Sequence, residues 1–491
     1  MQQQLTTLAR DSRALAALAV PLALTQLAQV ALTTTDTVMM GVLGTEALAA
    51  GGLALVIFNQ LRTMGVGLVT SVGNQVAAAA ARAELATPDS GPGPGVTAAG
   101  PGATAPDPGA TARSDQEVRG LVRAAMAVAT LAGLAGAALM ILIGQAATVL
   151  GQDAAVAHRA QGMLAALAPG LLPCLWFQAI RQFTVGMRRP QALLQITIAS
   201  VAVNAALNWA FIHGTWGLPK LGLTGIGVAT STVYLLSFLA LYTSARRDPR
   251  LAPLLSPDFW KADAPTVRRL LGLGTPIAAT YGSEAGFFSV TALLAGSFGA
   301  AALAAHTAVN QLIYIVFQVA VGLSHAASIN VSRELALGEY GAARRIKNTA
   351  LACGAVVTTV VGIAYLTVPH LVLRPYFDAG SATDRQGLQI ATGLLVVVAA
   401  LQFFDCAQNI GVGLLRGLDD TRSGFRITLV GYWLVGLPAS WLLAYPLGGE
   451  TRGLWLGLLI GLATTAVLLL RRYSRTLTAR AGSAPAAVLA T

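Results

Sequence analysis

Twelve apolar runs, each long enough to cross a lipid bilayer, occupy most of the 491-residue sequence. About twenty residues at a rise of about 1.5 Å per residue cross the hydrocarbon core as an α-helix. Backbone groups in lipid must pair within the chain, and this favours helices. The sequence therefore predicts an all-α polytopic membrane protein with twelve transmembrane helices. The predicted spans are 14–40, 48–81, 118–148, 157–186, 191–213, 222–244, 267–297, 302–332, 346–373, 387–415, 424–446 and 452–472.

The composition agrees with a chain that faces lipid. Charged residues make up only 11% of the chain, against about 25% in soluble globular proteins. The net charge is +11, but the basic residues lie between the apolar runs, which is typical of membrane topology rather than of nucleic-acid binding. The three cysteines are scattered through apolar runs, so we expect neither a disulfide framework nor a metal site built on them.

The distribution of Lys and Arg predicts the orientation. If the N-terminus is cytoplasmic, 26 of the 32 basic residues fall on the cytoplasmic side and five on the outer side. The five outer residues are Arg159, Lys220, Arg374, Arg385 and Arg452. Because positive residues concentrate in cytoplasmic loops, we expect both termini in the cytoplasm of a multi-pass protein of the plasma (inner) membrane.

Two segments have the composition of linkers. Residues 84–115 are rich in Pro, Gly, Ala, Thr and Ser, which cannot bury a core and predicts a disordered cytoplasmic loop. Residues 246–266 are polar and basic and lie between the sixth and seventh runs. The domains predicted are an N-terminal six-helix lobe over 1–245, an inter-lobe cytoplasmic linker over 246–266, a C-terminal six-helix lobe over 267–480 and a disordered tail over 481–491.

The two halves resemble each other in sequence. Residues 21–50 align without gaps on 276–305 at an offset of 255, which places Pro21 on Pro276. A proline inside a helix frees a carbonyl group and permits a bend. These two prolines are therefore candidate hinges, although simple packing kinks would look the same.

A second alignment appears later in the chain at an offset of 227 and places Gly186 on Gly413. Six helices return the chain to the same side of the membrane, so the two halves should be related by an axis along the membrane normal. The sequence thus predicts two pseudo-symmetric six-helix lobes with a cleft between them, the architecture of alternating access.

Three acidic residues, Asp36, Glu284 and Asp405, fall inside predicted spans. An ionisable residue at the bilayer centre costs about 2.5–3.5 kcal/mol on insertion scales, and such residues commonly face a polar cavity and serve a function. A carboxylate in such a cavity can bind H⁺, Na⁺ or an organic cation in turn. The three acids are therefore the candidate ion-coupling residues, with Glu284 and Asp405 as a possible Na⁺ site. The alternative is a structural acid paired with a nearby donor.

Neutral polar residues extend the predicted cavity. Asn204 and Asn208 are one turn apart in the fifth helix and share a face, so they either extend a site towards Asp36 or form interhelical hydrogen bonds.

The repeat adds three further cavity-lining candidates. At an offset of 255 Glu284 falls on Gln29, and at an offset of 227 Asp405 falls on Gln178. A repeated Asn-Gln pair in equivalent helices adds Asn310.

The sequence contains no Walker A, dinucleotide-binding or HExxH pattern. We therefore expect no ATP, no organic cofactor and no nucleic acid, and an ion gradient as the energy source. One elementary charge crossing about 100 mV supplies roughly 2.3 kcal/mol.

Five stretches carry a resemblance to a known family. They are P-L-A-L-T-Q-L-A-Q-V-A-L-T-T-T-D-T-V-M-M-G in the first helix, A-S-V-A-V-N-A-A-L-N-W-A-F-I-H-G in the fifth, G-L-P-K-L-G-L-T-G-I-G-V-A-T after it, L-L-R-G-L-D-D-T after the tenth and Y-W-L-V-G-L-P in the eleventh. With them the chain resembles the multidrug and toxic compound extrusion (MATE) family, in particular its NorM-like branch.

The resemblance implies twelve helices in two lobes and drug efflux coupled to H⁺ or Na⁺. It places Asp36, Glu284 and Asp405 at the acids of the first, seventh and tenth helices of the family. It also places Asn204, Asn208 and Thr230 at the lining of the N-terminal cavity. Leu401 is a departure, because some relatives carry a phenol one turn before the tenth-helix acid. The identity of the coupling ion therefore stays open.

The leading interpretation is a secondary active multidrug exporter that exchanges cationic amphipathic small molecules for H⁺ or Na⁺, acting as a monomer. An alternative is a flippase or exporter of lipid-linked or polar metabolites, which would need a basic cavity. Arg62 is nearly the only basic residue in the middle of a predicted span, and this favours cationic substrates. A membrane scaffold or embedded enzyme would need a reactive cluster or a soluble domain, and the sequence indicates neither.

Overall fold

The computed structural model describes residues 2–86, 108–146, 154–377 and 382–483, which are almost wholly helical. The long helices are α1 (Gln2–Val42), α2 (Thr45–Ala86), α3 (Pro108–Ala146), α4 (Ala154–Gly186), α5 (Gln191–His213), α6 (Leu223–Arg247), α7 (Ala264–Gly296), α8 (Ala300–Ala336) and α9 (Tyr340–Thr367). After them come the short α10 (Pro369–Leu373), then α11 (Ala382–Gly417), α12 (Thr421–Leu429), a π-helical turn (Val430–Gly436), α13 (Leu437–Ala444) and α14 (Glu450–Ser483).

The described residues contain twelve long helical segments when α12, the π-turn and α13 are counted as one. This confirms the twelve-helix prediction. Eleven of them are long and apolar enough to cross a membrane. The twelfth is α7, whose middle carries Thr280, Tyr281, Ser283 and Glu284. These polar residues make α7 less apolar than the other eleven helices. Such polarity is expected of a helix that faces a cavity.

Parts of the predicted linkers are helical. Residues 84–86 end α2 and 108–115 begin α3, and the rest of the predicted disordered loop, 87–107, lies outside the described residues. Residues 481–483 belong to α14, and the rest of the predicted tail is likewise outside the description. The segment between α6 and α7 is reduced to 248–263 and includes a short 3₁₀ turn at Phe259–Lys261.

Packing groups the described helices into two units whose boundaries fall inside α1 and α7. One unit contains Ala279–Val331 together with α1 up to Gln26 and the chain after Glu339; the other contains Leu27–Ala278 and Ser332–Gly338. The predicted lobe boundary at 246–266 lies between the two sequence repeats. The boundaries between the two packed units instead fall within α1 and within α7. Each boundary follows a candidate hinge proline by only a few residues.

Two close helix crossings account for this division. A Cβ atom at Gly322 of α8 would lie 2.7 Å from the Cα atom of Ala23 in α1, inside one unit. A Cβ atom at Gly67 of α2 would lie 2.7 Å from the Cα atom of Ala278 in α7, inside the other. Both glycines and both alanines are 255 residues apart. The first part of α1 therefore packs on α8 of the second repeat, and the first part of α7 packs on α2 of the first repeat, at equivalent positions.

The structure supports the offset of 255 and corrects the second offset. Gly44 and Gly299 share the same left-handed φ of 105°. For the later helices, Arg188 (φ 57°) and Asp419 (φ 59°) are the equivalent left-handed residues, and the hydrogen bonds around them match at an offset of 231. The predicted offset of 227 is therefore wrong by one helical turn. Because a slip of one turn keeps the same face of an apolar helix, the sequence alignment tolerates the error.

Candidate functional site

In the unit that contains α5 and α6, Asp36 is the centre of a buried hydrogen-bond network. The Asn208 side-chain amide donates to Asp36 Oδ1 at 2.8 Å, and the Thr230 hydroxyl donates to Asp36 Oδ2 at 2.9 Å. Asn208 also donates to Asn204 Oδ1 at 3.1 Å, and Asn204 donates to Thr230 Oγ1 at 3.4 Å. All four side chains are 0–1% exposed.

The local sequence explains why these residues meet. Asn204 and Asn208 are four residues apart on α5, so both amides project from one face. Asp36 comes from α1 and Thr230 from α6. An ionised carboxylate is only an acceptor, and here each of its oxygens receives a donor. The pair on α5 thus forms hydrogen bonds with α1 and α6, and its role in a functional site stays a prediction. The amide oxygen of Asn208 is buried without a hydrogen-bond partner.

The other unit holds the second acidic site. The Tyr432 hydroxyl donates to Glu284 Oε1 at 3.2 Å. Tyr432 lies in the π-helical turn Val430–Gly436, and its ring stacks on Phe287 with centroids 4.8 Å apart. Trp433 in the same turn donates to the Ser283 hydroxyl at 2.8 Å. A π-turn inserts one extra residue into a helix and commonly occurs at functional sites, and this one presents two adjacent ring donors to α7.

Asp405 belongs to the same acidic site. It is 5% exposed on α11 and accepts a hydrogen bond of 3.2 Å from the Asn409 amide, one turn further along the helix. Asp405 and Glu284 lie in the same unit, near enough for their charges to act on each other. Two carboxyl groups that repel each other favour the uptake of a cation.

The remaining predicted residues have different surroundings. Gln29 lines a recess in the same unit as Asp36. Gln178 is buried but accepts a hydrogen bond of 3.2 Å from Arg181 on its own helix. In the corrected register Gln178 is equivalent to Asn409 rather than to Asp405, so the predicted pairing of Gln178 with the tenth-helix acid is wrong. Asn310 is half-buried on α8.

Sequence reasoning missed two residues of the second site. Tyr432 lies in the Y-W-L-V-G-L-P stretch that carries the family resemblance, but the π-turn that aims it at Glu284 has no periodic signal. Asn409 lies four residues after Asp405 on α11, so the one-turn spacing that groups Asn204 with Asn208 could have identified it. Leu401, the departure from the phenol of some relatives, is buried in an apolar cluster, while Tyr432 brings a phenol to the site from another helix.

Among the described residues, no group of three or more His, Cys, Asp or Glu side chains could hold a metal ion. The groups that contact the acids are neutral: the side-chain amides of Asn208 and Asn409 and the hydroxyls of Thr230 and Tyr432. Carboxylate and hydroxyl oxygens suit a hard cation rather than a transition metal.

The comparisons with known proteins agree with this architecture. The family model described as MatE matches residues 110–210 and 276–442. A protein of Pseudomonas aeruginosa named "Probable multidrug resistance protein NorM" is 36% identical over 93% of this chain and 88% of its own length. The "Multidrug resistance protein NorM" of Burkholderia vietnamiensis is 32% identical over 95% of this chain and 94% of its own length.

Solved structures share the fold at lower identity. An outward-facing multidrug resistance MATE family transporter of the MOP superfamily superposes with a TM-score of 0.80 at 14% identity, covering 96% of both chains. The Vibrio cholerae MATE transporter VcmN in its bent form gives a TM-score of 0.77 at 16% identity, covering 96% of this chain and 98% of its own.

Proposed function

This chain belongs to the MatE family, and on that premise we propose that it is a secondary active multidrug exporter. It exchanges cationic amphipathic small molecules for H⁺ or Na⁺ by alternating access. As a family member it is a multi-pass membrane transporter and not an enzyme. The proposal concerns what the family alone leaves open: the substrate charge, the coupling residues and the ion.

One observation carries the proposal. Three carboxyl groups, those of Asp36, Glu284 and Asp405, lie inside membrane helices and are held by neutral donors. No ion pair in the described part of the chain involves any of them. A carboxylate in such a place is expensive unless a cation can reach it. Sites of this kind therefore bind a small ion or a cationic substrate in turn.

Competition for the acids explains the exchange. A substrate cation and the coupling ion each neutralise the same carboxylate, and a neutralised carboxylate costs less to move through a closed, dehydrated state. The transporter then changes conformation when the substrate or the coupling ion is bound, and less readily when neither of them is bound. This is the thermodynamic requirement for antiport, because a ligand shifts an equilibrium only through its differential affinity for the two states.

The topology follows the charge asymmetry. The basic residues Arg246 and Arg247 end α6, and Arg471 and Arg472 lie towards the end of α14. Together with the sequence-wide bias, they support cytoplasmic N- and C-termini in the inner membrane. We propose a monomer as the transporting unit.

The decisive experiment is transport by the full chain in proteoliposomes. A fluorescent organic cation is loaded, and an H⁺ or Na⁺ gradient is imposed separately. We expect E284Q, D405N and D36N each to lower gradient-driven efflux at least tenfold. The matched control is E46Q, which removes an acid that pairs with Arg159 at the end of a helix. Efflux that survives in all three acid variants at the wild-type rate would refute the coupling role.

A further inference from the structure

Two aromatic side chains protrude from the linker between α6 and α7. Phe259 and Trp260 belong to the 3₁₀ turn Phe259–Lys261, in which no residue is buried. Their rings meet edge to face with centroids 5.2 Å apart, and Trp260 is 69% exposed. Large apolar side chains that protrude together from a short turn indicate a contact surface rather than a part of the core.

Contacts with α3 fix the height of this linker relative to the membrane. Arg119 Nε donates to the Pro253 carbonyl at 2.7 Å, and Arg123 Nε donates to the Ser256 hydroxyl at 2.7 Å. The aromatic turn also contacts α3. Both arginines lie near the start of the range over which α3 can cross a membrane. The turn therefore lies at the depth of the lipid headgroups, where amphipathic aromatic rings are enriched in membrane proteins.

The other end of the linker also begins at the membrane boundary and is basic. The membrane-crossing range of α6 ends at Arg247, and Arg246, Arg247 and Arg250 are all exposed. The Arg246 guanidinium carbon lies 5.9 Å from the centroid of the Tyr242 ring. None of the three arginines belongs to an ion pair within the described ranges of the chain. Positive charges in this position attract the phosphates of anionic lipids.

The acids of the linker are engaged within the protein. Asp248 pairs with Arg189 at 2.6 Å, and Asp258 pairs with Lys261 at 3.3 Å. Asp263 accepts a hydrogen bond of 2.9 Å from the backbone at the start of α7. The side chains that remain to meet the membrane surface are therefore the arginines and the two aromatic rings.

We propose that the linker over 248–263 lies in the bilayer interface and binds anionic phospholipid. Trp260 lies among the headgroups, and Arg246, Arg247 and Arg250 bind the phosphates. A lipid surface suits both features at once, because it offers apolar contact and negative charge at the same height beside two spanning helices. The inference goes beyond the proposed exporter function, and its test does not depend on transport.

Lipids brominated on the acyl chains quench the fluorescence of a tryptophan that they contact. The full chain is reconstituted in phosphatidylcholine bilayers with increasing fractions of brominated phosphatidylglycerol or brominated phosphatidylcholine. The signal that W260F removes belongs to Trp260, which separates it from the other tryptophans. Each basic residue near an anionic surface strengthens binding roughly fivefold. We therefore expect phosphatidylglycerol to bind beside Trp260 about tenfold more tightly than phosphatidylcholine, and R246Q/R247Q/R250Q to reduce this preference to less than twofold.

The matched control is R422Q/R426Q/R475Q, which removes three exposed arginines from the other unit and should leave the preference at Trp260 unchanged. If the triple variant does not insert, R247Q and R250Q singly should each lower the preference about two- to fivefold.

Three results would overturn the inference. The first is equal quenching of wild-type Trp260 by the two lipids. The second is a preference that survives in R246Q/R247Q/R250Q or falls equally in the control. The third is a Trp260 signal that aqueous acrylamide quenches and neither lipid does, because the turn would then lie outside the bilayer.

Discussion

Tyr432 donates a hydrogen bond to Glu284 from a position 148 residues further along the chain. Its ring is fixed by stacking on Phe287 with centroids 4.8 Å apart. A phenol held this firmly can complete the ligands of a bound cation, a role that Leu401 cannot fill.

The first prediction concerns this phenol. Y432F keeps the ring and removes the hydroxyl, and a hydrogen bond to a charged group contributes about 1.5–3 kcal/mol. We expect the Na⁺ concentration that gives half-maximal antiport to rise about tenfold or more, with expression and folding unchanged, because the bound cation loses the phenol oxygen as a ligand. Y445F, which removes a hydroxyl that bonds Ser297 at an exposed site, is the control. Identical ion-dependence curves for Y432F and wild type would remove Tyr432 from the site.

The second prediction concerns the network around Asp36. N208A and T230V each remove one donor from the carboxylate, and D36N removes the charge. In a double-mutant cycle we expect N208A and D36N to be coupled by about 1–3 kcal/mol, the range for contacting residues in one network. Thermal unfolding in detergent provides the measurement. Additive effects would mean that the 2.8 Å contact between Asn208 and Asp36 contributes little.

The third prediction tests the two equivalent helix crossings. G67L and G322L place a side chain where a single Cβ already lies 2.7 Å from the backbone of Ala278 or Ala23. Overpacking of this kind typically costs about 1–3 kcal/mol, so both variants should unfold at lower temperature and transport more slowly. G52L on α2 has open space around its Cβ position and should be nearly neutral. A wild-type unfolding temperature in both crossing variants would mean that these helices separate without loss.

A site residue could be predicted from the sequence where its position follows from residues close to it along the chain. Asn204 and Asn208 were predicted because a spacing of one turn puts two amides on one face, and that rule survives any tertiary arrangement. Tyr432 was not predicted because the direction of its side chain depends on the π-helical turn, which contains one extra residue. Asn409 lies one turn from Asp405, so the same spacing rule applies to it. The second repeat, by contrast, was aligned one turn out of register. In helices rich in Ala and Leu, a slip of one turn preserves the apolar face, and only a backbone feature such as the left-handed Arg188 and Asp419 fixes the register.

The corrected register also reveals an ion pair repeated with its charges exchanged. Arg189 binds Asp248 at 2.6 Å in one unit, and Asp420, the counterpart of Arg189 at an offset of 231, binds Arg472 at 2.9 Å in the other. Each pair ties the turn between two helices to the last helix of a repeat: Asp248 directly follows α6, and Arg472 lies within α14. Both repeats therefore keep an ion pair at this position, although the acidic and basic residues are exchanged.

The final prediction follows from the pKa values of the two acids, which lie outside the membrane-spanning segments. Burial alone would raise the pKa of Asp248, but hydrogen bonds from the Arg250 backbone N–H and the Arg189 guanidinium outweigh it and lower the pKa. Burial likewise opposes the charge of Asp420, while Ser423 and Arg472 lower its pKa overall. A folded-state pKa below the unfolded value of about 3.9 stabilises the fold above that pH. The contribution is lost as the pH falls through the folded-state pKa.

We therefore expect D248N and D420N to unfold at lower temperature than wild type at pH 7, and the differences to close as the pH falls below about 4. Unfolding temperatures measured between pH 7 and pH 3 in detergent provide the check. The double variant R189D/D248R reverses the pair, as the other repeat already does. It should recover part of the stability lost in D248R alone, and not all of it, because Arg at position 248 cannot accept the backbone hydrogen bond of 2.9 Å from Arg250. A gap between D248N and wild type that is as large at pH 3 as at pH 7 would show that Asp248 acts through packing rather than through its charge.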